Sequence, residues 1–176
     1  VAKQEKIEFV QGNWYNALNQ ISQRKGRLAT MADLIREKNV APFGHESWQN
    51  GGYVSTTLDY AANQPIILIA NNSPLTKLKN AKKAVEAHFN GNEFYITQKD
   101  YTSHLKQAEK EAKKAPEKRS LFILPERDTF NITSQNYFEV LRFLAEDAKE
   151  AEKYLTRLSE KRINELAFYL TNKEYV

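Results

Sequence analysis

The continuous apolar run from Pro65 to Ala70 constrains the fold of this chain more than any other segment. A strand with one face in water alternates apolar and polar residues, whereas a strand covered on both faces can be apolar throughout. Ile66 to Ala70 is also the longest apolar run, far below the roughly 20 residues that cross a bilayer. The sequence therefore predicts a central strand buried between two layers, and it predicts no membrane span.

The composition is that of an ordered globular protein. The chain has 176 residues, of which 41% are hydrophobic and 27% charged, so we expect a single domain over residues 1–176. Cysteine is absent, which excludes disulfides, thiolate nucleophiles and cysteine-ligated metals and fits a cytoplasmic protein. Residues 1–6 show no apolar core of signal-peptide length. The first residue is Val1 and not Met, which is compatible with loss of an upstream segment.

Local signals place most of the predicted helices and strands. Asn13 is a suitable N-cap for a helix over 14–24, and Thr30-Met31-Ala32-Asp33 resembles a capping box that starts a second helix. Ser73-Pro74 is a third helix start. Further helices are predicted at 98–114 and from 135 onward, the latter with one break near Ser159. Strands are predicted at 7–10, 53–57, 65–70, 93–97 and 121–124.

The order of these elements favours a mixed fold. Strands and helices alternate between residues 65 and 124, which is typical of α/β proteins. The helical segments at both ends do not continue the alternation. We therefore predict an α+β fold with a mixed sheet of about four or five strands flanked by helices and a helical C-terminal third. An α/β fold is the second interpretation.

A hydroxyl-rich stretch offers one resemblance to a known active site. Gly52-Tyr53-Val54-Ser55-Thr56-Thr57 resembles the Ser-Thr-Ser strand of ADP-ribosyltransferases of the cholera-toxin type. The resemblance implies that Ser55 holds NAD, that Arg27 binds the cofactor phosphates and that Glu93 is the catalytic acid. NAD is expected as a cofactor on this interpretation alone, and otherwise the sequence predicts none.

The same region carries a second local resemblance. Trp14 and Ala17, followed by Gly26-Arg27-Leu28-Ala29-Thr30, look like the first helix and turn of C-type-lectin-like domains. In those domains a tryptophan-rich stretch followed by Ser-Thr often comes later, much as Trp48 and Ser55 do here.

The histidines are dispersed. His45, His88 and His104 stand far apart in sequence without ligand spacing, so no dedicated metal site is predicted. His45 is the best candidate of the three for function, because a loop histidine beside Glu46 and Trp48 could act as a general base. The alternative is an exposed polar loop.

Positive charge is concentrated in one segment. The net charge is +4. The segment from Lys77 to Arg119 contains eleven basic and six acidic residues, a local excess of +5. If the two helices of this segment pack side by side, their lysines could form one patch that contacts nucleic-acid phosphates. A solvated helix surface is the alternative. The candidate residues are Lys77, Lys79, Lys82, Lys83, Lys110, Lys113 and Lys114.

The C-terminal helices supply aromatic side chains for a protein partner. Aromatic residues on an exposed helix face are common at interfaces, and a core position is the alternative. The residues concerned are Phe138, Phe143, Tyr154, Phe168, Tyr169 and Tyr175. The leading prediction is a basic α+β binding domain without a catalytic set, and the alternatives are an NAD-dependent transferase and a non-specific nucleic-acid-binding protein.

Overall fold

A computed structural model describes residues 7–8, 10–49, 54–59, 64–71, 73–92, 94–125, 129–131, 135–163 and 165–167. Within these ranges the chain forms seven α-helices and five three-residue strands. The helices are α1 (Trp14–Gln23), α2 (Met31–Val40), α3 (Glu46–Gln49), α4 (Leu78–Phe89), α5 (Gln98–Glu111), α6 (Gln135–Ala145) and α7 (Ala148–Glu160). The strands are β1 (Thr57–Asp59), β2 (Ile67–Ile69), β3 (Leu121–Ile123), β4 (Thr129–Asn131) and β5 (Glu165–Ala167).

The apolar run lies at the centre of a three-stranded antiparallel sheet. β2 pairs with β1 on one side and with β3 on the other, and the register sets Ile67 opposite Asp59 and Ile123. Because side chains alternate across a strand, Ile67 and Ile69 pack under α5 while Leu68 packs into the core that α6 and α7 complete. All three side chains of β2 are buried, which confirms the prediction of a central strand covered on both faces.

The remaining strands form a separate two-stranded sheet. β4 pairs with β5 in antiparallel register, so the described strands divide into sheets of three and two. The predicted mixed sheet of four or five strands is therefore wrong, although the α+β class stands. Residues 94–97, predicted as a strand, form none, and residues 165–167, predicted as helix, form β5. Strand partners come from distant segments, and local apolar patterns do not specify them.

The C-terminal helical region breaks earlier than predicted. Glu146 has a φ of 54°, a left-handed conformation that ends α6. The Asp147 carboxylate then accepts hydrogen bonds from the backbone N–H groups of Lys149 and Glu150 and caps α7. α7 ends at Glu160, close to the break predicted near Ser159, but the described residues after it form β5 and no second helix. The break between α6 and α7 was not predicted.

Hydrogen bonds tie the start of α2 to the segment before β1. The Thr30 hydroxyl accepts from the Asp33 N–H while the Asp33 carboxylate accepts from the Thr30 N–H, which confirms the predicted capping box. The Met31 N–H donates to the Thr56 hydroxyl, and the Ser55 N–H donates to the Ala29 carbonyl. In the described part of the chain, no helix combines the length and apolar composition that crossing a bilayer requires.

Candidate functional site

The residues predicted to bind NAD have protein partners where the structure describes them. The Ser55 hydroxyl donates to Asn71 Oδ1 at 3.2 Å, and the residue is only 7% exposed. The Arg27 guanidinium contacts both carboxylate oxygens of Asp33, at 2.6 and 3.2 Å. Glu93 lies outside the described residues. Ser55 and Arg27 therefore take part in local hydrogen-bond networks around the start of α2.

The ion pair of Arg27 and Asp33 changes the acidity of the aspartate. Burial of Asp33 opposes its ionisation, but hydrogen bonds from Arg27 and Thr30 and the Arg27 charge outweigh it and lower the pKa to about 2. Asp33 also pairs with Arg36 at 3.1 Å. This carboxylate stays ionised well into the acid range and holds the helix start together.

The predicted basic residues lie on helices with different packing partners. α4 packs against α1, whereas α5 packs on β2 and β3. On α4 and just before it, Lys77, Lys79, Lys82 and Lys83 are all exposed, as are Lys110, Lys113 and Lys114 at the end of α5. Two of these seven form ion pairs with neighbours, Lys82 with Glu86 and Lys114 with Glu111. That the seven lysines bind nucleic acid stays a prediction.

His45 caps a short helix. Its Nδ1 accepts from the Ser47 N–H at 3.2 Å and lies 3.0 Å from the Ser47 hydroxyl, so the neutral ring carries its proton on Nε2. That nitrogen lies 3.8 Å from a carboxylate oxygen of Glu37. The acidic partner is thus Glu37 of α2 and not the neighbouring Glu46.

A second histidine forms a closer pair that sequence reasoning missed. His104 Nδ1 on α5 lies 2.6 Å from Asp59 Oδ2 at the end of β1. Asp59 is buried, and its burial raises the pKa of the carboxyl against the opposing hydrogen bond and charge of His104. The two residues stand 45 positions apart, so no local spacing could have indicated the pair.

The pair of Asp59 and His104 has two parts of a general-base system. A buried carboxylate that holds Nδ1 orients an imidazole for proton transfer at Nε2. Among the residues that the structure describes, no serine or threonine hydroxyl hydrogen-bonds to His104. The observed role of the pair is to tie α5 to β1.

A group of charged and aromatic side chains surrounds Trp48. Lys38 Nζ lies 5.2 Å and Lys161 Nζ 5.0 Å from the centre of the indole ring. The Arg157 guanidinium carbon lies 5.7 Å from the same centre and 4.0 Å from the centre of the Phe43 ring. We call Lys38, Phe43, Trp48, Arg157 and Lys161 the Trp48 cluster. Its members come from α2, the loop after it, α3, α7 and the C-cap of α7.

The aromatic part of the Trp48 cluster is closely packed. Trp48 is 9% exposed, and its indole N–H donates to the Lys38 carbonyl at 3.1 Å. Its ring meets Phe43 edge to face at 5.1 Å and Tyr154 at 5.8 Å between centroids. Trp48 belongs to α3 and to the core, whereas the sequence placed it in an irregular loop.

The C-terminal aromatic residues do not form the predicted partner surface where they are described. Phe143 and Tyr154 are buried in the core, and Phe138 is partly buried against it. Phe168, Tyr169 and Tyr175 lie outside the described residues. For Phe143 and Tyr154 the core alternative is correct, because Phe143 meets Phe122 of β3 and Tyr154 meets Trp48 of α3 inside the buried core.

Comparison with known proteins identifies a fold and no family. No protein-family model matches the chain, and no curated protein matches it. A solved structure from work on the accommodation of massive sequence variation in Nanoarchaeota by the C-type lectin fold is similar, with a TM-score of 0.60. The similarity covers 93% of this chain and 78% of the other, at 12% sequence identity. At this identity the likeness concerns the fold alone.

This comparison corrects the first resemblance. The similarity to ADP-ribosyltransferases inferred from residues 52–57 is wrong, because the structural similarity over nearly the whole chain is to a C-type lectin fold. Of the two local resemblances, the C-type-lectin-like one, carried by Trp14 and residues 26–30, agrees with the fold. The hydroxyl-rich residues 55–57 do not distinguish the two folds, because threonine is common in β-strands in general.

Proposed function

We propose that this chain is a binding domain and that the exposed face of α4 binds single-stranded nucleic acid. The observation that carries the proposal is the joint exposure of four lysines and two aromatic rings at and beside one helix. We define the α4 face as Lys77, Lys79, Lys82, Lys83, Phe89 and Tyr95.

The lysines of the α4 face supply uncompensated positive charge. Lys82 lies 3.8 Å from Glu86, an exposed i,i+4 pair of small energetic value. Lys77, Lys79 and Lys83 form no ion pair with any residue that the structure describes. Free lysines along a helix favour contacts with successive phosphates, which contribute affinity without reading sequence.

Two exposed rings favour single strands over duplex. Phe89 ends α4 with 75% of its surface exposed, and Tyr95 follows after a turn at Gly91 with 76% exposed. Unpaired bases stack on such rings and gain roughly 1–3 kcal/mol per base, whereas paired bases are already stacked.

The fold supports a binding role. The similar structure is described as a C-type lectin fold that accommodates massive sequence variation. A scaffold that tolerates surface variation can acquire new ligands without changing its core. In this chain the α4 face lies outside both buried clusters of the core, so ligand contacts there need not disturb packing.

Fluorescence anisotropy of a labelled single-stranded oligonucleotide tests the proposal. We expect affinity to fall steeply between 50 and 200 mM salt, with a log–log slope that drops by about 0.7 for each lysine removed. The double variant Lys79→Gln/Lys83→Gln should show the reduced slope, and Phe89→Ala should weaken binding with the slope unchanged. Lys149→Gln/Lys153→Gln, on the exposed surface of α7, is the matched control and should bind normally.

Three results would contradict the proposal. Affinity that is independent of salt concentration would show that phosphate contacts do not contribute to binding. If the α4 and α7 lysine variants weakened oligonucleotide binding equally, the binding would depend on net charge and not on the α4 face. Binding of polyglutamate together with failure to bind the oligonucleotide would assign the α4 face to an acidic protein instead.

A further inference from the structure

We infer that the Trp48 cluster is a binding site for a phosphate group, held between Lys38 and Lys161. This site is distinct from the α4 face and goes beyond the proposed function. It uses α2, α3 and α7, whereas α4 packs on α1.

Two positive charges share one indole ring without a neutralising acid. Lys38 Nζ and Lys161 Nζ lie 5.2 and 5.0 Å from the centre of the Trp48 ring. Within the described ranges, neither ammonium has a carboxylate within ion-pair distance, and the nearby acid Glu160 pairs with Arg157. The charge of Lys161 acts on Lys38 and lowers the pKa of its ammonium, so the two positive charges repel each other, and an anion bound to both would offset that repulsion.

The positions of Lys38 and Lys161 at helix ends explain why each residue is a cation, but not why both ammonium groups lie near the same indole ring. Lys38 lies in the last turn of α2, and Lys161 is the C-cap of α7. Cations are favoured at helix C-termini, where backbone carbonyls are unpaired. The two helix ends could satisfy that preference with side chains directed apart. Burial of Lys38 lowers its pKa, and the charge of Lys161 lowers it further. Without a bound anion, the surroundings therefore disfavour the charged form of the Lys38 side chain.

Arg157 also belongs to the cluster, although Glu160 balances its charge. One of its amino groups donates to the Ala41 carbonyl at 2.6 Å, and the guanidinium stacks 4.0 Å from the centre of the Phe43 ring. Its Nε is buried and has no hydrogen-bond partner among the described residues. A buried N–H without an acceptor is costly, and nearly all such groups in native proteins have a protein, water or ligand partner.

Contacts within the protein hold the Trp48 cluster in place. Lys161 Nζ donates to the backbone carbonyl of Trp48 at 3.3 Å, and the indole N–H of Trp48 donates to the backbone carbonyl of Lys38 at 3.1 Å. The contacts with Phe43 and Tyr154 hold the indole in place. Rigid placement lowers the entropy lost on binding, so even a small anion can be held.

The charge of the cluster selects the class of anion. Two lysine ammoniums match a dianion better than a monoanion, and lysine acts as a point charge that suits phosphate oxygens. Inorganic phosphate and the phosphate group of a larger monoester share this chemistry. Glycerol 3-phosphate beside inorganic phosphate distinguishes them, since tighter binding of the ester would indicate contacts beyond the phosphate itself.

Trp48 provides the readout for a direct test. In a Trp14→Phe background, Trp48 is the one tryptophan left, because the chain has two. Titration with inorganic phosphate in a chloride buffer of constant ionic strength should change its fluorescence saturably. Lys38→Met and Lys161→Met, which keep the apolar stem beside the ring, should each weaken binding at least tenfold. Lys79→Met on α4 is the matched control and should leave the titration unchanged.

Thermal unfolding separates an anion site from a purely structural role. Phosphate at 100 times its dissociation constant should raise the melting temperature of the wild-type protein but not of the two lysine variants, because it binds the folded state. If phosphate changes neither fluorescence nor melting temperature more than chloride does, the inference is wrong. It is also wrong if both variants bind phosphate normally, or if they lose the same stability with and without phosphate.

Discussion

At the start of α2, the side chain of Asp33 takes part in both a helix cap and an ion pair. The Asp33 carboxylate accepts from the Thr30 N–H and from Arg27 at the same time. Each contact alone is worth little at a partly exposed site, but they share one acceptor and favour the same ionised form. The residue that the transferase resemblance assigned to a cofactor is thus part of a structural network.

The pH dependence of stability should reveal this carboxylate. Its pKa is lowered from 3.8 to about 2 in the folded state, so its contribution is present above pH 3.8 and lost as the pH falls through about 2. We expect Asp33→Asn to cost about 1 kcal/mol at pH 7, after allowance for solvent screening, and much less at pH 2. Urea unfolding at both pH values measures this. An equal cost at both values would contradict the assignment.

At the scale of elements, one buried carboxylate fastens α5 to β3. Glu111 Oε2 accepts from the backbone N–H groups of Ser120 and Leu121, at 2.6 and 3.1 Å. Burial opposes the ionisation of Glu111, but these two donors and Gln107 outweigh it and lower the pKa of the carboxyl. Together with His104 and Asp59, this contact positions the helix across the sheet.

Removing the Glu111 carboxylate should loosen that attachment. Glu111→Ala leaves two backbone N–H groups without their acceptor, and we expect a loss of about 2–3 kcal/mol in the free energy of unfolding. Glu111→Gln retains one acceptor oxygen and should cost about half as much. Glu109→Ala, two residues away and exposed, should change stability by less than about 0.5 kcal/mol. Chemical denaturation compares the three variants, and equal stability of the two alanine variants would refute the role.

For the whole molecule, one continuous core joins the sheet to α2, α6 and α7. Phe143 is fully buried there and meets Phe122 of β3 at 5.3 Å between ring centroids. This core contains residues from Ile35 to Leu158. Packing across such a span explains why Phe143 and Tyr154 are core residues, and it leaves the α4 face exposed.

Truncation of Phe143 should therefore affect the entire fold. We expect Phe143→Ala to lower the free energy of unfolding by about 3–5 kcal/mol, because it opens a cavity in the core. Phe89→Ala removes the same side chain from an exposed position and should change stability by less than about 0.5 kcal/mol. Thermal denaturation of the two variants measures the contrast. Similar melting temperatures would show that Phe143 is not a core residue.

Features that depend on neighbouring residues were predictable. Asn13 caps α1 and Thr30 caps α2 as expected, since a cap is a hydrogen bond between residues about three positions apart. Ser73-Pro74 does start a turn, but the turn is of the 3-10 type over Pro74–Thr76 and α4 begins at Leu78. The local signal located the start to within one turn of helix.

The amino-acid sequence was sufficient to predict the starts of α1 and α2, the buried central strand and the α+β class, because these follow from local hydrogen bonds and from the pattern of apolar residues. The division of the strands into two sheets and the pairing of distant side chains required the folded structure. Asp59 and His104 are 45 residues apart, and the Trp48 cluster joins Lys38 to Lys161. Such contacts arise from the packing of distant elements, and no spacing along the chain encodes them.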